Sequence, residues 1–157
     1  MAERSKPIAA DTPDEPDELM DADRQAAQFE RVRNAQQTEK AEDYVEMIDD
    51  LINAYGEARV TDLAQRFGVS HATVNKILKR LQRDGPVTSR PYRSIFLTEQ
   101  GSALADASRK RHQIVLNFLR AIGVSARNAE LDAEGIEHYV SAETLASFEK
   151  ITSEKDS

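Results

Sequence analysis

The chain has 157 residues, no cysteine and a formal net charge of -7 at neutral pH. This length allows one domain of ordinary size or two small ones, and the lack of cysteine excludes disulfides, thiolate zinc sites and cysteine nucleophiles. Its longest uncharged apolar run is only a few residues and its acidic, proline-rich start is unlike a secretion signal, so we expect a cytoplasmic protein without membrane segments.

Residues 1–22 form the first predicted segment, a disordered acidic tail. They hold three of the five prolines and very few aromatic or β-branched residues, so they cannot bury enough surface to fold. From Ala22 the chain is free of proline and glycine as far as Gly56, and its apolar residues follow a helical period from Tyr44 onward. We predict a helix that ends at Gly56, with a polar first half that is separate or frayed.

The next segment has the pattern of a helix-turn-helix. Leu63 and Phe67 mark a short apolar helix, Gly68 marks the turn, and Ser70 is the expected N-cap of the second helix. Two short helices joined at a glycine are typical of this DNA-binding motif.

A basic hairpin is predicted to follow the two short helices. The Gly-Pro pair at 85–86 ends the second helix, and two short strands at 87–89 and 94–98 flank the turn RPYR. Helices followed by a basic hairpin indicate a winged helix.

The remainder of the chain is predicted to be helical. Thr98 caps a long helix that closes at Gly123, and Ser125 and Ser141 begin two more. This remainder is too small for an independent core, so we expect it to supply the dimerisation surface of a homodimer.

The predicted fold class is therefore mainly α, with an N-terminal winged helix-turn-helix and an all-helical dimerisation domain. Its expected organisation is a disordered acidic tail over 1–22, a DNA-binding domain with its preceding helix over 23–98, and a dimerisation and metal-binding domain over 99–157.

Positive charge is concentrated in the predicted winged helix, although the chain as a whole is acidic. Residues 56–93 contain eight basic and only three acidic residues. The second helix would enter the major groove and the wing would reach the adjacent backbone or minor groove of double-stranded DNA. The alternative is a solvated face on a winged helix that contacts protein, but the helix spacing, the glycine placement and the basic wing together favour DNA. The candidate DNA contacts are Ser70, His71, Ala72, Thr73, Asn75, Lys76, Lys79, Arg80, Arg90, Tyr92 and Arg93.

Carboxylates and histidines occur in three segments outside this basic region, and in two of them their helical spacing puts the side chains on one helix face. Taken singly, each is explained as an ordinary solvated helix face. If the segments converge, however, their carboxylates repel one another by about 1 kcal/mol or more unless a cation lies between them. The side chains in question are Asp43 with Glu46, His112, and Glu134 with Glu137 and His138.

The run from residue 43 to about residue 148 resembles the manganese transport regulators of the diphtheria toxin repressor family. The resemblance lies in EDYVEMIDDLI, GEARVTDLAQRFGVSHATVNKILKRL, RSIFLTEQG, RHQIVLNFLRAIGVS and DAEGIEHYVSAETL. Many relatives read EHH where this chain reads EHY. The residue that differs, Tyr139, comes after the implied ligand His138. The family's larger members add an SH3-like C-terminal domain, which we do not expect here. The resemblance implies metal ligands at Asp43, Glu46, His112, Glu134, Glu137 and His138, with Glu46 and Glu137 as bridges.

The ligand chemistry favours a hard divalent cation. Four carboxylates and two imidazoles without sulfur suit Mn²⁺ or Fe²⁺. Iron-sensing relatives place a methionine or cysteine among the ligands, and the resemblance puts Asp43 in the place of that methionine, which favours manganese. Six side chains exceed the needs of one ion, so we expect two Mn²⁺ ions per subunit.

The predicted function is that of a manganese-responsive repressor of manganese uptake genes, in which the metal cluster locks a homodimer onto a palindromic operator. One alternative is an iron(II)-responsive or metal-independent winged-helix regulator. Another is a di-metal hydrolase, which is disfavoured because the sequence has no HExxH motif, nucleophile elbow or phosphate loop. We therefore expect a protein without catalytic activity or a small organic substrate.

Overall fold

The computed structural model describes residues 19–90 and 94–157. Within these ranges the structure has six helices and one antiparallel two-stranded sheet, in which Thr88 pairs with Phe96. The expected mainly α fold, with a helix-turn-helix, a wing and a helical remainder, is confirmed. No helix in the described ranges is both long and apolar enough to cross a membrane. The elements are α1 (Ala22–Tyr55), α2 (Val60–Phe67), α3 (His71–Asp84), β1 (Val87–Ser89), β2 (Ile95–Leu97), α4 (Glu99–Ala121), α5 (Ala126–Ile136) and α6 (Ala142–Lys155).

Helix α1 is one continuous helix of 34 residues, so the expectation of a separate or frayed first half is wrong. Asp21 caps its start by accepting a hydrogen bond from the amide of Arg24, and Gly56 ends it with a left-handed φ of 82°. The first half is exposed, yet without proline or glycine nothing interrupts the backbone ladder. Residues 1–18 of the predicted tail lie outside the described residues.

The second half of α1 packs against the helix-turn-helix. Ile48 of α1, Leu63 of α2 and Leu81 of α3 are fully buried in one apolar cluster, and the rings of Tyr44 and Phe67 stack with centroids 4.4 Å apart. Burial of each such side chain stabilises the fold by about 1.5–3 kcal/mol. Movement of α1 would therefore carry the two helices of the helix-turn-helix with it.

A second apolar cluster lies in the helical remainder. Val115 of α4 and Ala129 of α5 are fully buried there, and the rings of Phe118 and Phe148 stack with centroids 3.9 Å apart. This segment was expected to be too small for a core of its own, and the structure corrects that expectation. Ile122, the C-cap residue of α4, is exposed just beyond the end of the helix at Ala121.

Helix α4 joins the two clusters by lying against α1. The Arg109 guanidinium contacts the carboxylates of Asp49 at 2.7 Å and Asp50 at 2.8 Å. These ion pairs fix the middle of α4 against α1 next to the region where the predicted metal ligands lie.

We expect Gly101→Ala to destabilise the protein by about 1–3 kcal/mol, the cost of overpacking a filled site. Gly101 is buried in the first turn of α4, where an added methyl group would overlap the carbonyl oxygen of Pro86. The matched control is Gly135→Ala in α5, whose methyl group would meet no described atom within 4 Å and should be neutral or stabilising. Urea unfolding followed by circular dichroism measures both, and equal stabilities would contradict this account of the α4 junction.

Candidate metal centre

Two small groups of carboxylates and imidazoles lie where α1, α4 and the end of α5 meet. The first surrounds His112 of α4, whose Nδ1 lies 3.1 Å from Glu137 Oε2 and 3.6 Å from Glu134 Oε1. The Nε2 atom of the same ring lies 3.2 Å from Glu130 Oε2. One donor atom from each of His112, Glu134 and Glu137 falls within 4.8 Å of the others, a spacing that one cation can bridge.

The second group surrounds His138, which lies just beyond α5. Its Nε2 atom is 3.4 Å from Asp43 Oδ1, and donor atoms of Glu39, Asp43 and His138 also lie within 4.8 Å of one another. The Tyr139 hydroxyl donates a 2.6 Å hydrogen bond to Glu39, which ties the turn after α5 to α1.

Glu137 connects the two groups. Its Oε2 faces His112 at 3.1 Å, while its Oε1 lies 3.3 Å from Nε2 of His138. The side chain is only 2% exposed. Burial raises the pKa of Glu137 to about 7, since the two imidazoles only partly offset burial and the charges of Glu134 and Glu46 raise the pKa further. This carboxyl group is thus poised between its neutral and charged forms near neutral pH.

Glu46 of α1 belongs to neither three-residue group but lies beside both. Burial raises its pKa, and the charges of Asp43 and Glu134 add to that effect. The structure thus brings five of the six predicted ligands into two groups and places the sixth within electrostatic reach of them.

The three predicted ligands at the end of α5 do not share one helix face, contrary to what their spacing suggested. Helix α5 ends at Ile136, Glu137 is its C-cap, and the amide of Tyr139 bonds to the Ile136 carbonyl at 3.0 Å in a tighter turn. As a result Glu134 faces His112, whereas His138 turns toward α1.

Glu42 and Glu39 are site residues that the sequence analysis missed. Glu42 is buried, accepts a 2.7 Å hydrogen bond from His138 Nδ1, and forms an ion pair with Arg111 of α4. The available signal was the spacing of acids along α1, because Glu39, Glu42, Asp43 and Glu46 follow i, i+3, i+4, i+7 and so share one face.

His138 is held between acids on two sides. Burial lowers its pKa, but hydrogen bonds to Asp43 and Glu42 and the charges of Asp43 and Glu137 outweigh burial and raise the pKa to about 10. The pKa of Glu42 moves the other way: burial raises it, but His138 and Arg111 together bring it below its usual value. In the metal-free protein the imidazolium of His138 therefore offsets part of the clustered negative charge.

The site fits a divalent cation. Among the described residues, Glu46 Oε1 and Glu137 Oε2 are buried without a hydrogen bond of acceptable geometry, although the latter lies close to His112. Leaving an anionic oxygen buried and unpaired is costly, and a cation among the carboxylates removes that cost. An all-oxygen and nitrogen donor set suits Mn²⁺ or Fe²⁺.

Most of the predicted DNA contacts lie on the exposed face of α3. Ser70 also serves as the N-cap, because its hydroxyl accepts from the amide of Thr73 at 3.1 Å. Arg80 is half-buried and donates to the Gln37 carbonyl of α1 at 3.3 Å, so it also holds the helix in place. The exposed members on α3 are His71, Ala72, Thr73, Asn75, Lys76 and Lys79.

The wing supplies the remaining predicted contacts. Arg90 is exposed, and its guanidinium lies over the Phe96 ring, 4.9 Å from the centroid. Tyr92 and Arg93 lie outside the described residues. Two further basic residues flank α3: Arg59 lines a groove on the wing side of this helix, and Lys40 of α1 lines a groove on its other side.

Two consecutive parts of the chain match domains of one protein family. Residues 36–95 match the family described as "Iron dependent repressor, N-terminal DNA binding domain". Residues 98–154 match "Iron dependent repressor, metal binding and dimerisation domain". The chain belongs to this family, that of the diphtheria toxin repressor, and is a metal-dependent DNA-binding transcriptional regulator.

Known relatives agree with that assignment. The chain is 50% identical to the transcriptional regulator MntR of Escherichia coli O6:H1 over 135 residues, which are 86% of this chain and 87% of the relative. It is 27% identical to a solved manganese-dependent transcriptional repressor in complex with manganese, with a TM-score of 0.59, covering 72% of this chain and 52% of the other. The structure of the manganese regulator SloR is similar in fold, with 24% identity, a TM-score of 0.63, and coverage of 72% and 53%. The chain thus spans about half the length of these two solved chains.

We expect the metal-free protein to lose thermal stability as the pH rises through neutrality. His138 has a pKa of about 10 in the folded state against an ordinary value of 6.5, and Glu137 about 7 against 4.5. Both groups bind protons more tightly when folded, so their stabilisation is complete below the ordinary values and is lost as the pH rises through 7 toward 10. Thermal unfolding in chelator between pH 5 and 9 measures this effect.

Glu137→Gln is the control for that pH series. Because the glutamine side chain is neutral throughout, the melting temperature of this variant should fall less steeply between pH 5 and 7. Added Mn²⁺ should reduce the loss of stability at high pH, since metal and protons compete for the same atoms. A melting temperature that rises from pH 6.5 to 9 in chelator would contradict the assigned pKa directions.

Proposed function

We propose that this regulator is a Mn²⁺-responsive repressor of manganese uptake genes, which acts in the cytoplasm as a homodimer on a palindromic operator. Support comes from the family's DNA-binding and dimerisation domains and from the manganese-dependent repressor, 27% identical, that was solved with manganese. Because the matched domains bind DNA and metal, we propose no catalytic activity and no small organic substrate.

The observation that carries this function is the convergence of ligands on Glu137 from three separate elements. Asp43 comes from α1, His112 from α4, and Glu134 and His138 from the end of α5 and the turn beyond it. A site built from distant pieces of chain constrains their relative positions when it is filled. Metal binding in this protein would thus fix α1 against the helical remainder.

Two ions per subunit would use the two groups. His112 with Glu134 would hold one and Asp43 with His138 the other, while the two oxygens of Glu137 face one group each. Glu46 would use its buried oxygen at this junction, and Glu39 is a further candidate for the second group. Bound Mn²⁺ would supply the positive charge that four carboxylates and two neutral imidazoles lack.

A packed route leads from this centre to the DNA-binding helix. The same α1 that carries Asp43 stacks Tyr44 on Phe67 of α2, and its Gln37 carbonyl accepts from Arg80 of α3. Fixing α1 against α4 therefore fixes α3 relative to the dimerisation helices. In a homodimer this would set the separation of the two α3 helices, which must match major grooves about 34 Å apart.

The exposed face of α3 would then contact both the bases and the phosphate backbone of the DNA. Asn75 is suited to an adenine edge and the Thr73 methyl group to a thymine methyl, whereas Lys76 and Lys79 suit phosphates or guanine. Arg90 on the wing would reach the neighbouring backbone. Sequence preference would depend on the short polar side chains, whereas salt sensitivity would depend on the lysine and arginine side chains.

We expect Mn²⁺ to strengthen binding to the cognate duplex about 5- to 150-fold relative to binding in chelator, the usual range of allosteric coupling. The cognate duplex is first selected from a random library in the presence of Mn²⁺. Fluorescence anisotropy then measures the affinity of the protein for this duplex in Mn²⁺, Fe²⁺, Zn²⁺ and chelator. Glu137→Gln should remove the Mn²⁺ effect while circular dichroism shows an intact fold.

Asp132→Asn is the matched control for that titration, because Asp132 is an exposed acid on the same helix outside both groups. It should respond to Mn²⁺ as the wild type does. Equal DNA affinity in Mn²⁺ and chelator would refute metal control, whereas a stronger response to Fe²⁺ than to Mn²⁺ would refute only the manganese assignment.

A further inference from the structure

Glu42 is a buried carboxylate that our proposed ligand set does not use. Its side chain is 2% exposed and lies in α1, one residue before Asp43. One oxygen, Oε2, accepts a 2.7 Å hydrogen bond from His138 Nδ1, and the other, Oε1, forms an ion pair with the Arg111 guanidinium of α4. Both oxygens are therefore engaged, one by His138 and one by Arg111.

The two nitrogens of His138 have different neighbours. Nδ1 meets Glu42, whereas Nε2 lies 3.4 Å from Asp43 Oδ1 and 3.3 Å from Glu137 Oε1. The imidazole is 1% exposed, so it cannot exchange these partners for water without leaving its pocket. Only Nε2 is directed at residues that we propose as metal ligands.

We propose that Glu42 is a positioning residue that keeps the proton on Nδ1 of His138 and so presents Nε2 to the metal ion. This inference rests on the function proposed above. When metal binds, the Nε2 proton leaves to solvent, and the Nδ1 proton stays in its hydrogen bond to Glu42. A carboxylate behind a metal-binding imidazole fixes both its tautomer and its ring orientation, and makes the free nitrogen a better donor.

Arg111 completes this arrangement. Its guanidinium balances the charge of Glu42, so the carboxylate can remain ionised without adding net negative charge to the centre. Arg111 directly precedes His112, the imidazole of the other group, so the Glu42 pair also connects α1 to the α4 residue next to that ligand. Glu42 thus holds His138 directly and is itself held by α4.

The test compares variants that remove the carboxylate in two ways. Glu42→Gln keeps the side-chain volume but loses the charge, and the double variant Glu42→Leu/Arg111→Met removes both members of the ion pair so that no buried charge is left unpaired. We expect each variant to raise the Mn²⁺ dissociation constant, which is measured from the electron paramagnetic resonance signal of free Mn²⁺. In the double variant the constant should rise about 10- to 100-fold.

A spectroscopic measurement separates positioning from a general loss of structure. In protein labelled with ¹⁵N-histidine and loaded with ¹¹³Cd²⁺, the wild type should show cadmium coupling at Nε2 of His138 and a proton on Nδ1. Both variants should weaken or lose the Nδ1 proton signal or the coupling. The full-length protein is used throughout, and circular dichroism checks the fold of each variant.

Asp49→Asn is the matched control. It breaks another ion pair between α1 and α4, the one to Arg109 at 2.7 Å, without touching His138. It should lower the melting temperature and leave Mn²⁺ affinity and the histidine spectrum unchanged.

Wild-type Mn²⁺ affinity with an unchanged Nδ1 proton in both Glu42 variants would overturn the role of Glu42 and leave the proposed function standing. Cadmium coupling at Nδ1 in the wild type would overturn it as well. A wild type that binds no Mn²⁺ at all would overturn both the role of Glu42 and the proposed function.

Discussion

The structure depends on one electrostatic constraint, the burial of the Glu137 carboxylate between two imidazoles and beside further acids. Burial raises the pKa of Glu137 to about 7, and the charges of Glu134 and Glu46 act in the same direction. Without a cation these acids can approach only because protons and the imidazolium of His138 offset their charge. Protons and a divalent metal ion would therefore compete for the proposed site, and the occupant would determine how firmly α1, α4 and the end of α5 are held together.

Under the proposed function, helix α1 would convert this competition into a change at the DNA-binding surface. The same helix carries Asp43 and Glu46, packs Ile48 into the helix-turn-helix core, and receives the hydrogen bond from Arg80 of α3. Because packed cores move as units, a shift of α1 against α4 would be transmitted to α3. The continuous helix would link the proposed metal site, which draws ligands from α1 and from the helical remainder, to α3.

Local sequence signals predicted the fold well, whereas side-chain geometry at the site was less accessible. The structure has the predicted N-caps at Ser70 and Thr98 and the predicted helix end at Gly85. These positions could be predicted because each residue satisfies backbone groups within four residues of itself. The grouping of His138 with α1, rather than with Glu134, depends on a tight turn after Ile136 that periodicity does not reveal. Glu42 escaped notice for a related reason: its role comes from His138 and Arg111, which are far away in the sequence.

The most direct measurement is anomalous X-ray diffraction from crystals of the Mn²⁺-loaded protein, recorded on both sides of the manganese absorption edge. The account predicts two manganese peaks per subunit between α1, α4 and the turn after α5, with Glu137 in contact with both. An absence of manganese from this junction, or carboxylates of Asp43, Glu134 and Glu137 that point apart into solvent in the loaded crystal, would contradict it.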